Sequence, residues 1–158
     1  MAIVFTFVVM IFCALPQGVQ AEEPISHVVA YKSEGRLELH AGGRVVREYP
    51  AMFGLMPGSK KREGDFKTPT GTYTLSPGRR SEFHWFMPIS YPNEEDKAAG
   101  RTGSAIGLHG TGQIWFRRFG QWLRLVNWTS GCIAVSDEQI DEIHGLIGDR
   151  AVPIHIRP

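Results

Sequence analysis

Polar and apolar residues alternate through Arg36-Leu37-Glu38-Leu39-His40-Ala41, the period of a strand with one buried face. Gly42-Gly43 follows as a turn, and Arg44 to Tyr49 returns with Val45 and Val46, so the segment predicts a β-hairpin. Gly71 to Leu75, Trp85 to Ser90, Ser104 to His109 and Trp122 to Val126 are β-prone as well, and none has helical spacing. From Gly54 to Pro69 the chain reads GLMPGSKKREGDFKTP. Its Gly, Pro and charged residues predict a long surface loop, a place where function often resides.

Two helices interrupt this pattern. Asn93 followed by Glu94, Glu95 and Asp96 is a helix start with acidic residues in its first turn, and Lys97-Ala98-Ala99-Gly100 ends it soon after. The second starts at Ser136, where Gln139 completes a capping box. Ile140, Ile143 and Ile147 mark its apolar face, and Gly148 stops it. A last strand spans Val152 to Ile156 with Val152, Ile154 and Ile156 inward, and Pro153 suggests an edge position. The region is therefore mainly β, a β-rich α+β domain with one or two short helices.

The N-terminal stretch changes where the domain begins. Ala2 to Leu15 is uncharged and almost wholly apolar, and Val19-Gln20-Ala21 supplies the small residues at which a secretory signal is cut. We therefore expect residues 1–21 to be a signal peptide and residues 22–158 the folded domain. The apolar run lacks a preceding Lys or Arg, which keeps an uncleaved anchor as the alternative, although the run is short of the ~20 residues a spanning helix needs. Cys13 falls within this segment, and the bulky Phe12 before it does not suit a lipidation site. A remainder of 137 residues suffices for one core and leaves no room for a second domain.

Composition narrows the class of partner. Lys and Arg total 17 against 16 Asp and Glu, so electrostatic affinity for a polyanion is small and nucleic acid is not expected as a partner. With 42% hydrophobic residues and two cysteines, the chain must be held by a packed core rather than by disulfides. Without the N-terminal stretch a single thiol remains, Cys132, in an exported and oxidising setting where an unpaired thiol calls for a reason.

Ile106-Gly107-Leu108-His109-Gly110 places a histidine at a strand end between glycines, and Thr129-Ser130-Gly131-Cys132-Ile133 places the thiol after a glycine, 23 residues on. A cysteine nucleophile needs a base to form thiolate, and two loops at one end of a sheet could bring the pair together. Gly131, without a Cβ, could let its amide and those of Ser130 and Cys132 approach a substrate carbonyl as an oxyanion hole. The plainer alternatives are a strand-end histidine and a small buried thiol. Zinc chemistry is disfavoured because the chain has no His-x-x-x-His, Cys-x-x-Cys or His-x-x-Glu-His, so no metal and no cofactor are expected.

Pro69-Thr70-Gly71-Thr72-Tyr73, Ile89-Ser90-Tyr91-Pro92-Asn93, Leu108-His109-Gly110-Thr111 and Ser130-Gly131-Cys132-Ile133, in this order, resemble the YkuD-like L,D-transpeptidase family over about Val28 to Arg157. The resemblance implies a β-sandwich or barrel-like catalytic domain in which a cysteine attacks the stem peptide of peptidoglycan. Cys132 would be the nucleophile and His109 the general base, oriented by the residue that follows it. That residue is Gly110, so only its carbonyl could serve. The thiolate would attack the L,D bond between the third and fourth stem residues, expel D-alanine and leave a thioester for an amine acceptor or water.

Two departures from the commonest family pattern bear on specificity. Its Ser-His-Gly-Cys with a later Arg or Asn becomes Thr129-Ser130-Gly131-Cys132-Ile133-Ala134, without a second histidine or a cationic or amide group. A branch with Ala at this position is similar, and related members are hydrolases that release lipoprotein. A transpeptidase is therefore expected, with a hydrolase or an inactive peptidoglycan-binding module as alternatives. A sortase would have a longer spacing, and NlpC/P60-type peptidases run Cys before His. Lys60, Lys61, Arg62 and Lys67 could form a cationic rim that replaces what Ala134 lacks, or only a solvated loop. His84, Tyr91, Asn93 and Thr129 are the substrate-binding candidates, and Trp115, Trp122 and Trp128 read as core or cleft wall. The expected partners are stem peptides and a lipoprotein or other amine acceptor, met by a monomer in the periplasm of the cell envelope.

Overall fold

A computed structural model describes residues 23–112 and 126–158. The expected signal peptide, Cys13, Trp115, Trp122 and nearly all of the strand expected at 122–126 lie outside the described residues.

The alternating segment forms the expected hairpin, β2 (Arg36–Ala41) and β3 (Arg44–Pro50). It adds to β1 (His27–Tyr31), and β9 (Val152–Arg157) lies between β1 and β4 (Gly71–Leu75), giving a five-stranded sheet in the order β3-β2-β1-β9-β4. Three strands have only short local patterns: β1, β5 (Arg79–Ser81) and β8 (Ile133–Ala134). With β6 (His84–Pro88) and β7 (Gly107–His109), the last two make a second sheet in the order β5-β6-β7-β8.

Strand β9 corrects one expectation, since it is interior rather than an edge. Pro153 is nevertheless accommodated: it pairs with Thr74 of β4, and the parallel ladder to β1 starts only at Ile154, opposite Val28. The imide that cannot donate therefore precedes the ladder it would have interrupted.

Both helices begin as their caps predict. Asn93 caps α1 (Glu94–Ala98) and Ser136 caps α2 (Asp137–Ile147), each with a reciprocal capping box. Ile140, Ile143 and Ile147 of α2 are fully buried, in one core with Val152, Ile154 and Ile156 of β9, Met87 of β6 and Leu108 of β7. Each such side chain contributes ~1.5–3 kcal/mol through burial. This packing seats the start of α2 against the end of β7, where the candidate site lies.

Candidate active site

Strands β7 and β8 run parallel, with Leu108 opposite Ile133 and His109 opposite Ala134. His109 and Ala134 therefore share one face of the sheet, and Cys132 lies in the segment that leads directly into β8. The two loops expected to meet at one sheet end are thus two neighbouring chain segments. Across β6, Phe86 pairs with His109 and shares that face.

The imidazole is enclosed. His109 is only 2% exposed, with Phe83 at 4.5 Å, Trp128 at 6.0 Å and Phe86 at 6.2 Å between ring centroids. Its Nδ1 lies 2.6 Å from the carbonyl oxygen of Gly110. A neutral ring donating there carries its proton on Nδ1 and keeps Nε2 as the acceptor, the tautomer a general base needs. Burial lowers the histidine pKa to about 4, against the opposing pull of the Gly110 carbonyl and the Asp137 carboxylate. Gly110 has to be glycine here, because a Cβ would stand 2.5 Å from Asp137 Oδ1 and 2.9 Å from the carbonyl oxygen of Phe83. Asp137 also accepts from Gly112 N–H at 2.8 Å and Thr111 Oγ1 at 3.2 Å, so the first residue of α2 fixes the turn after the histidine.

Cys132 is half-buried, and its Sγ lies 3.4 Å from the carbonyl oxygen of Ala105. Burial pushes the thiol pKa up, while the Gly107 amide and the charge of Lys60 oppose that shift. The loop leading to the thiol is closed by Thr129. Its hydroxyl donates to the Cys132 carbonyl at 2.7 Å and accepts from Gly131 N–H at 3.1 Å. Gly131 therefore has its amide engaged within the loop. Its φ of +138° and the closeness of Lys67, whose carbonyl oxygen would be 2.7 Å from a Cβ, account for glycine at this position.

A family model for the L,D-transpeptidase catalytic domain, YkuD, matches residues 25–156. The chain belongs to the YkuD family. It is 28% identical over 110 residues to the putative L,D-transpeptidase YafK of Escherichia coli K12, covering 64% of this chain and 39% of that protein. The helical cell shape determining protein Pgp2 of Campylobacter jejuni superposes with a TM-score of 0.68 at 26% identity, over 85% of this chain and 48% of Pgp2. Bd1075 of Bdellovibrio bacteriovorus matches with a TM-score of 0.60 at 25% identity, over 85% of this chain and 48% of its own. The chain thus spans less than half the length of these relatives. L,D-transpeptidase 1 of Mycobacterium tuberculosis, at 16% identity and a TM-score of 0.51, shares the fold.

The substrate-binding candidates are placed less uniformly in this YkuD domain. His84 enters β6 with φ of +70° and bonds through Nε2 to Asp141 of α2 at 2.9 Å, next to Arg80. Tyr91 is buried, follows Ser90 with a cis bond to Pro92, and donates its hydroxyl to the Thr102 carbonyl at 3.2 Å. Asn93 accepts from Asp96 N–H at 2.9 Å as the cap of α1. Thr129 is buried in the turn described above, whereas Ser130 is exposed beside the thiol. No sequence signal marks Phe83, Phe86 and Asp137 for this site: Phe83 reaches it from the β5–β6 turn, Phe86 through its pairing with His109, and Asp137 through the packing of α2. No group of His, Cys, Asp and Glu able to hold a metal ion occurs among the described residues.

Proposed function

We infer that this YkuD domain is a cysteine acyltransferase of peptidoglycan stem peptides, working outside the cytoplasmic membrane. The observation that carries the reading is the 2.6 Å contact between His109 Nδ1 and the Gly110 carbonyl, on a strand paired with β8, which Cys132 immediately precedes. His109 Nε2 would take the thiol proton as Sγ attacks the carbonyl of the L,D bond. The tetrahedral oxyanion would be met by the amides of Ser130 and Cys132, since that of Gly131 is engaged by Thr129. Collapse would break the C–N bond, the imidazolium would protonate the departing D-alanine amine, and a Cys132 thioester would remain. An amine acceptor or water then resolves it.

Localisation to the periplasm rests on the chemistry of this substrate and on the expected signal in residues 1–21. No helix among the described residues is long and apolar enough to cross a membrane. Mass spectrometry of the full chain incubated with disaccharide tetrapeptide and with crosslinked or lipoprotein-linked muropeptides tests the reading. We expect a Cys132 acyl adduct that is absent from Cys132→Ala, and a drop of ~100-fold or more in its formation in His109→Ala. A 3-3 crosslinked product or exchanged terminal residue would identify the transpeptidase, and release by water the hydrolase. No adduct and no Cys132-dependent product would overturn the enzyme reading in favour of a binding module.

A further inference from the structure

The loop between Gly54 and Pro69 carries four cations, and they are not equivalent. Lys61 and Arg62 are exposed, and the ammonium of Lys67 is turned toward Gly58. Lys60 is the buried one, 3% exposed. Its side chain passes between two glycines that leave it space. A Cβ on Gly103 would stand 2.7 Å from Lys60 Cε, and one on Gly131 would stand 3.6 Å from Lys60 Nζ. The ammonium therefore reaches the residue immediately before the thiol. Both glycines have φ in the left-handed region, +129° and +138°, so this passage is built into the backbone of two separate segments.

Asp65 holds the ammonium in place. Its Oδ1 accepts from Lys60 Nζ at 2.9 Å and from Lys67 N–H at 3.2 Å, and its Oδ2 accepts from Lys61 N–H at 2.8 Å and Arg62 N–H at 3.1 Å. Burial favours the neutral acid, but these donors hold its carboxyl well below the usual carboxylate range. Among the described residues Asp65 is the one hydrogen-bond partner of the ammonium, so a cation with further donors faces the Gly131 segment.

We propose that Lys60, fixed by Asp65, is the positioning cation of the site: it supplies through the Gly131 segment the positive charge that Ala134 does not, and so stabilises the anion that forms at Cys132. This rests on the acyl-transfer reading of Cys132. Ala134 is fully buried and bridged to Met52, so β8 has no place for a charged side chain there. Among the described residues, Lys60 is the charged side chain that acts on the thiol, Tyr91 faces Lys60 across Gly103 and interacts with Asp65, and His109 lies on the neighbouring β7 with Asp137 of α2 acting on it. Lys60 acts on the sulfur electrostatically, in agreement with the lowering influence it has on the Cys132 thiol.

The test is the pH dependence of Cys132 alkylation by iodoacetamide in the full chain, followed on the Cys132 peptide by mass spectrometry so that Cys13 does not contribute. Lys60→Met leaves Asp65 uncompensated and should raise the apparent thiol pKa by roughly one pH unit or more. Asp65→Asn frees Lys60 of its counter-charge and should lower it, with the wild-type melting transition retained. Loss of the fold would instead bring the thiol toward the ~8.5 of an exposed cysteine in both variants. A folded Lys60→Met with an unchanged or lowered thiol pKa overturns the proposal. Where that variant does not melt as the wild type does, an unchanged profile in folded Asp65→Asn overturns it. No substrate is involved, so the result stands apart from that of the muropeptide experiment.

Discussion

The imidazole of His109 and the thiol of Cys132 are shifted in opposite directions, each toward its neutral form. At neutral pH the resting site therefore holds a neutral imidazole and a protonated thiol rather than a ready-made ion pair, and in the proposed reaction the proton would move as the sulfur attacks. With His109 at about 4, the rate of acylation should stay level on acidification to about pH 5 and fall only below it. An unperturbed histidine would already lose half its base form near 6.5. Stopped-time mass spectrometry of the acyl adduct between pH 4 and 8 checks this, and a midpoint near 6.5 would contradict the buried-base arrangement. Cys132 and His109 stood out in the sequence because both sit against glycines and are of the types that the proposed acyl transfer uses as nucleophile and base. Lys60 could not be singled out, because burial alone separates it from Lys61, Arg62 and Lys67. Asn93 had a legible local role, helix capping, and that is the role its side chain has.

At the level of elements, the strongest signals were those with a complete local code. The β2–β3 hairpin and helix α2 have period, turn or cap, and stop signal within the segment itself, and both form as expected. Strand β8 is two residues long and β5 three, too short for any period to show, so their existence depends on the partners that pair with them. Ser136→Ala, which removes one half of the α2 capping box, should cost ~0.5–2 kcal/mol, and Ile143→Ala on the buried face ~2–5 kcal/mol. Denaturant titrations of the two variants measure both. Because Asp137 at the first turn of α2 holds the turn after His109, the Ser136 variant should also slow acylation more than its loss of stability alone explains.

Across the molecule, the buried His109 is joined by histidines on the outer face of the large sheet. His27 and His40 stack at 4.4 Å, and His155 meets His27 edge-on at 5.6 Å. Burial and the neighbouring His40 and His155 lower the pKa of His27, and burial with the Arg157 charge lowers that of His40. A histidine whose folded pKa lies below its unfolded value near 6.5 binds fewer protons when folded. Its contribution to stability is complete above pH 6.5 and is lost as pH falls from there toward the folded value, about 4 for His109. The melting temperature should therefore drop between pH 7 and 5, and His27→Asn should flatten that slope; a melting temperature independent of pH in this window would contradict it. The position of β9 has a further consequence. It follows the other strands of its sheet in sequence yet separates β1 from β4, so during synthesis the large sheet has an open slot at its centre. Until residues 152–157 emerge and zip into that slot, β1 to β3 and β4 remain two unconnected fragments, and the thiol has no finished scaffold from which to react.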